Sequence, residues 1–514
     1  MELEERKNKE NIFSEFNNKS YIEDLNNQNL SLRSKKISKL LKIKRQNKLE
    51  QIKSSLDIIN KDQQFQINKF SSSYDRIIAY LNSSNTDIQS YILNQLNIYF
   101  KYNEPDIKEQ KMILEGQFLE LLLNLGINFF NNKKEENLIK ILWIFINIQI
   151  YNEGNGEYLT NLYNQKFLEF YNQCFTQSNS DEIMNEIIFL LYYISQINND
   201  INIIILESKV FESVINFASN ENQDLGLKED IIKLIIACVN ISKNCELNEE
   251  KINLIYKCLI ILKNESTKGN EKIQKLCYQG LYNISKINDE YEFNQTMIKE
   301  GIPKLILQNK NKNILLYSLK TLSNILTVPD EDLDKINLEE IITFYNAILN
   351  LYIDDDKLVF VILNGIFNIS DSKYINLVKS CIIWNQEMIQ KIFNKNQEIQ
   401  LLFLKIIKYI INIGNDRSLK FIYNTKVLEY LIYLLSKSNN DENQIMKILK
   451  LIDNYLSRFN NSDKEIFEYL IVFNKIKDWL NIFHDIINNS LFYLNHYSNN
   501  NPNFFKEKKI IHFV

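Results

Sequence analysis

The chain has 514 residues, with 60 Lys and Arg against 64 Asp and Glu, a net charge of −4. A hydrophobic content of 45% and an aromatic content of 12% exclude a disordered chain, and the length exceeds one ordinary core, so several domains or a repeat array are required. With 10 Gly and 4 Pro in all, tight turns are too scarce for a strand-rich or doubly wound fold, which leaves helices joined by polar loops.

The first element in chain order is an N-terminal arm over residues 1–65, polar and rich in asparagine, expected to be mostly disordered. Its opening, "MELEERKNKENIF", is charged where a signal peptide would be apolar. Within it, Arg33, Lys35, Lys36, Lys39, Lys42, Lys44, Arg45, Lys48 and Lys53 face only Glu50, giving +8 in 21 residues and leaving −12 for the rest. Leu49, Ile52, Leu56 and Ile59 follow at helical spacing, so a cationic stretch leads into an amphipathic helix. A partner with an acidic concave surface fits this arrangement. A nucleic-acid patch would call for interleaved aromatics and a less acidic body, a membrane-surface helix for Trp or Phe, and a solvated charge run for no partner.

Residues 66–500 carry an internal repeat in which an apolar run leads into asparagine. Clear copies centre on Asn147, Asn240, Asn283, Asn324, Asn368 and Asn412; weaker ones lie at Asn97, Ser195, Asn454 and Asn495. Successive spacings are 50, 48, 45, 43, 41, 44, 44, 42 and 41 residues, the period of armadillo or HEAT repeats. Segments such as "MIKEGIPKLILQN" (Met297 to Asn309) supply a short helix, a turn and a second amphipathic helix before the asparagine-bearing one. Three helices per unit favours armadillo. The expected fold is therefore all-α: a right-handed armadillo-repeat superhelical solenoid of about ten three-helix repeats, with residues 501–514 as a C-terminal tail.

In such an array the third helices line a concave groove, the default binding surface. An asparagine at one phase of successive helices offers an acceptor and two donors per step, suited to the backbone of an extended peptide. Equally, each could cap or solvate its helix. Trp143 stands four residues before Asn147, on the same helical face, where an indole can pack a lysine stem. Carboxylates just past the ladder positions, Asp200, Asp289, Asp330, Asp371 and Asp416, would add negative charge, or simply solvate loop ends.

The remaining chemistry is sparse. Six cysteines lack CxxC pairing and read as buried thiols of an intracellular protein. His484, His496 and His512 have no ligand spacing, so no metal site is expected, and no P-loop, GxSxG or dinucleotide turn points to an enzyme or a cofactor. Apolar runs such as Ile201 to Phe211 stop short of a membrane span.

With the ladder and arm assembled, the chain resembles the importin-α (karyopherin-α) family of nuclear-import adaptors. "LLKIKRQNKL" is similar to that family's importin-β-binding core at Leu40, Lys42, Lys44, Arg45 and Leu49, although the terminal basic cluster is reduced to Lys53. Trp143–Asn147 resembles the first W-x-x-x-N pair of the main site for nuclear localisation signals. The next pairs read Leu191–Ser195 and Ile236–Asn240, without tryptophan. Lys320–Asn324 resembles the start of the minor site, followed by Asn364–Asn368 and Lys408–Asn412. The resemblance implies lysine-rich signal peptides bound at Trp143, Asn147, Ser195, Asn240, Asn283, Lys320, Asn324, Asn368, Asn412 and Asp416. It implies an importin-β-like receptor bound by Arg33, Lys35, Lys36, Lys42, Lys44, Arg45 and Leu49, an export factor at the last repeats, and shuttling between cytoplasm and nucleus. Neither nucleic acid nor a membrane span is implied. The thinned basic cluster predicts weak self-inhibition by the arm. An armadillo scaffold binding some other extended partner is the alternative that the missing tryptophans favour.

Overall fold

The computed structural model describes residues 69–413 apart from 104, 116, 152–161, 197–198, 220–224, 242–246, 288–291 and 310, together with residue 67 and scattered positions from 418 to 454. The arm residues Arg33, Lys35, Lys36, Lys42, Lys44, Arg45 and Leu49 lie outside the described residues, as do Asp289, Asp416 and the tail. By its contacts the chain divides at Ser73/Tyr74 into two units, and nearly all described residues belong to the second.

Every regular element among the described residues is a helix. Helix α1 (Phe70–Leu81) leads to α2 (Thr86–Tyr102), and the units that follow repeat a short helix, a second helix and a third. They are α3 (Ile107–Glu115), α4 (Phe118–Asn131) and α5 (Glu135–Tyr151), then α6 (Gln165–Gln177) and α7 (Asp181–Ser195). Next come α8 (Asn199–Leu206), α9 (Lys209–Ala218) and α10 (Leu225–Cys238), then α11 (Glu249–Lys268) and α12 (Glu271–Ser285). The last three units are α13 (Glu292–Lys299), α14 (Ile302–Leu307) and α15 (Lys312–Ile325); α16 (Asp330–Leu333), α17 (Leu338–Tyr352) and α18 (Asp356–Ser370); and α19 (Ile375–Val378), a 3-10 turn at Ile382–Trp384, α20 (Gln386–Phe393) and α21 (Gln397–Ile413).

The asparagine-rich loops start these helices. Asn85, Asn164, Asn248, Asn270, Asn311, Asn337 and Asn385 are N-caps whose side chains accept a backbone N–H of the first turn. Each such cap is worth about 0.5–2 kcal/mol, so the residue that makes the sequence look compositionally biased also specifies where helices begin. Between the short and second helices of one unit, Gly301 turns the chain at φ 73°, a conformation that L side chains rarely adopt, and Pro303 starts α14.

Apolar stripes then stack the units. The third helices α2, α5, α7, α10, α12, α15, α18 and α21 each pack on the next, forming one continuous layer. The second helices stack behind it, α4 on α6, α6 on α9, α9 on α11 and α14 on α17. Rings lock successive units: Phe145 of α5 meets Phe167 of α6 with centroids 5.4 Å apart, and Phe175 of α6 meets Phe217 of α9 at 5.6 Å. No unit could bury its stripe alone, which is the defining economy of a solenoid. The described residues thus form an armadillo-repeat solenoid.

Cys174, Cys238, Cys258, Cys277 and Cys381 are buried free thiols, and burial pushes the Cys381 thiol up to about 12. No described helix is long and apolar enough to cross a membrane.

Candidate functional site: the face of the ladder helices

The third helices present one exposed face, and most of the ladder asparagines sit at its inner edge, where their amides are used by the protein itself. Asn283 is 7% exposed and its Nδ2 donates to the Ile236 carbonyl of the preceding ladder helix at 3.0 Å. Asn324 Nδ2 donates to Ser285 Oγ at 2.9 Å, and Asn368 Nδ2 to the Ser323 carbonyl at 2.7 Å. Asn147 Nδ2 reaches Asn97 Oδ1 at 3.4 Å, and Asn97 Nδ2 donates forward to the Lys140 carbonyl at 2.9 Å. These bonds join α12 to α10, α15 to α12, α18 to α15, and α2 to α5. The ladder is therefore a row of clamps between repeats. A side-chain amide donating to an otherwise unpaired carbonyl deep between two helices contributes about 1 kcal/mol and is costly to remove.

Other sequence-derived residues fall differently. Asn240 is exposed, two residues past the end of α10, and accepts from Lys286 Nζ at 3.5 Å. Ser195 is 3% exposed and donates to the Tyr192 carbonyl at 2.6 Å. Leu191 and Ile236, four residues before Ser195 and Asn240, are core residues. The outward-facing pair one turn apart is instead half-buried Tyr192 and exposed Gln196, the C-cap of α7. Asn412 is exposed near the end of α21. Asp200 is exposed at the start of α8, Asp330 accepts from the Lys373 backbone N–H at 3.4 Å, and Asp371 is half-buried.

The face changes character along the array. On α5 and α7 it carries the half-buried rings Trp143, Phe189, Tyr192 and Tyr193, with Phe189 and Tyr193 edge to face at 4.8 Å. Helical phase puts Glu136, Glu182 and Glu186 beside them. Glu136 pairs with Lys140 at 2.7 Å. On α10, Glu229 is contacted by Lys233 and by Lys272 of α12, at 2.7 and 2.6 Å. Burial opposes ionisation of Glu229, but the hydrogen bonds from Lys233 and Lys272 outweigh it and hold the carboxyl below its ordinary range.

From α12 onward lysines dominate. Lys320 lies over the Tyr282 ring at 5.1 Å and the Tyr317 ring at 5.8 Å, and Lys286 covers Tyr282 at 4.8 Å. Lys405 lies over Phe367 at 5.9 Å. Lys320 thus fills the aromatic surface that a bound lysine would need. Burial and the nearby Lys357 charge both lower the Lys320 pKa. The folded amine releases its proton before the unfolded one. Its charge is therefore a net cost to the fold at neutral pH, and stability at this site rises as pH climbs from the lowered folded value toward 10.5.

The sequence carried a signal for this aromatic row: Tyr282 and Phe367 immediately precede ladder asparagines in "LYNIS" and "IFNIS". The asparagine was the conspicuous letter, yet in the first of these Tyr282 is nearer the surface than buried Asn283, and in the second Phe367 and Asn368 are both half-buried.

Arrangement and helix count define a helical-repeat scaffold of the armadillo type, with an extended face and no cluster of metal-ligating side chains among the described residues. No protein-family model matches the chain, and no curated protein matches it in sequence. Among solved structures, the crystal structure of an engineered protein is 15% identical and covers 74% of this chain and 88% of its own, at a TM-score of 0.56, a likeness of fold alone. A designed armadillo repeat protein in complex with the peptide (KR)4 is 17% identical over 49% of this chain and 98% of its own, at a TM-score of 0.40, too low to support an argument.

Proposed function

We propose that the protein is an importin-α-like adaptor that grips a lysine-rich, extended signal segment on the α5–α7 part of the ladder face and engages an importin-β-like receptor through Lys42, Lys44 and Arg45 of the arm. The observation that carries the reading is the row of Trp143, Phe189, Tyr192 and Tyr193 flanked by Glu136, Glu182 and Glu186. Half-buried rings beside carboxylates suit an alkyl stem that ends in ammonium. Basic cargo binding then belongs to this half of the face; the Lys320 half repels it. Movement between cytoplasm and nucleus, and release by an export factor at the last repeats, are parts of the same proposal.

A second reading, a non-transport armadillo scaffold for another extended partner, is favoured by the ladder amides that bond to neighbouring repeats. The arm separates the two. Changing Lys42, Lys44 and Arg45 together to alanine in the full chain should abolish co-purification with importin-β. Retention equal to the unmodified chain would exclude the adaptor reading and leave the scaffold.

A further inference from the structure

We propose that the exposed face of α12, α15, α18 and α21 is a docking surface for an acidic, extended segment of a partner protein, separate from the basic-peptide surface on α5 and α7. Each of these four helices places one lysine on the face, at different heights along its axis: Lys275 in the second turn of α12, Lys320 in the second half of α15, Lys357 in the first turn of α18 and Lys408 in the last third of α21. None of the four makes an ion pair among the described residues. Lys405 adds to the row, with Lys408 and Lys447 beside it. The carboxylates that share this face are Glu271, which accepts from Asn313 Nδ2 at 2.6 Å, Asp371 and Glu398.

A single-sign row of this kind costs stability through self-repulsion and focuses potential along its length, the arrangement that steers and orients an oppositely charged partner. The lowered pKa values of Lys320 and Lys405, each from burial first and neighbouring lysines second, are the local record of that repulsion. Packed helices lie about 8–10 Å apart. An extended polypeptide advances about 3.1–3.3 Å per residue, so the sideways step from helix to helix and the staggered heights of the lysines together correspond to one carboxylate about every three to five residues.

A nucleic-acid strand fits less well. It brings a phosphate about every 3.4 Å, roughly three charges per helix step against one lysine. The rings that could stack bases are already covered: Tyr282 by Lys286 and Lys320, Phe367 by Lys405 and, edge to face at 5.2 Å, by Tyr409.

The test is a fluorescence-anisotropy titration of the full chain with three probes: a peptide bearing glutamate at every third position, its lysine counterpart, and a thymidine oligonucleotide. The glutamate peptide should bind saturably, and more weakly as salt is raised. Removing three exposed ammonium–carboxylate pairings at once should cost about tenfold in affinity. The variant K275Q/K357Q/K408Q should therefore weaken the glutamate peptide by about that factor and leave the lysine peptide unchanged. A melting temperature no lower than the parent's certifies the fold of the variant. Lys320→Met, which removes a charge that is a cost to the fold, should raise the urea midpoint while weakening the glutamate peptide. No saturation in about 50 mM salt, or equal affinity in the triple variant, overturns the proposal. Tighter, variant-sensitive binding of the oligonucleotide would make this a nucleic-acid surface instead. Trp143→Ala should not affect the glutamate peptide, so failure here and failure of the basic-peptide surface are read separately.

Discussion

Replacing Asn283 by alanine should lower the stability of the array by about 1–3 kcal/mol, while Asn240→Ala should change it by less than about 0.5 kcal/mol. The two residues occupy the same phase of the sequence repeat and differ in what their amides do. Asn283 is buried and donates to the Ile236 carbonyl, so truncation leaves a buried acceptor unpaired and opens a small cavity between α12 and α10. Asn240 lies in solvent beyond the helix end. Because solenoids unfold by coupled neighbouring units, the loss should appear in urea as an earlier transition, and in hydrogen exchange as faster opening of α10 and α12. Equal effects from the two substitutions would remove the clamp from the account.

The second large effect comes from a close approach between two helices. A Cβ at Gly365 of α18 would run into the Tyr345 hydroxyl of α17 and come within 2.8 Å of its ring carbon. Tyr345 is fully buried, and its hydroxyl has no hydrogen-bond partner among the described residues. Burial first, then Cys381, raises its pKa. Gly365→Ala should therefore destabilise by about 2–3 kcal/mol through overpacking, despite alanine's better helix propensity. Tyr345→Phe removes the nearest atom and an unpaired polar group, so alone it should be neutral or stabilising. Combined with Gly365→Ala it should recover at least about 1 kcal/mol. Additive urea midpoints in the double variant would show that the glycine is not held by this contact.

The architecture was legible in the sequence because the repeat writes it many times. Apolar phase, a period near 43 and scarce Gly and Pro lead to third helices that stack as one layer. The asparagines were legible as positions but divided in role. Groove asparagines that grip a peptide and interfacial asparagines that grip the neighbouring repeat have the same period, and only the partner atom, Ile236 O or Ser323 O, tells them apart. Ser195 shows how one residue of helical phase matters: the count along the chain aligns it with the ladder, but the end of α7 turns Tyr192 and Gln196 outward and Ser195 inward. The lysine row was hidden for a different reason. Lys275, Lys320, Lys357 and Lys408 are 45, 37 and 51 residues apart, an uneven series whose members meet only when the helices are stacked.

The central claim is that the α5–α7 part of the face takes a basic extended segment, and titration of a lysine-rich peptide against the full chain and its Trp143→Ala variant tests it most directly. Removing one aromatic partner from a bound ammonium, worth about 0.5–2 kcal/mol, predicts saturable binding that weakens about 3- to 30-fold in the variant, with K275Q/K357Q/K408Q binding at least as tightly as the parent. Binding that is indifferent to Trp143, or that is lost with the lysines of α12, α18 and α21, would contradict the account.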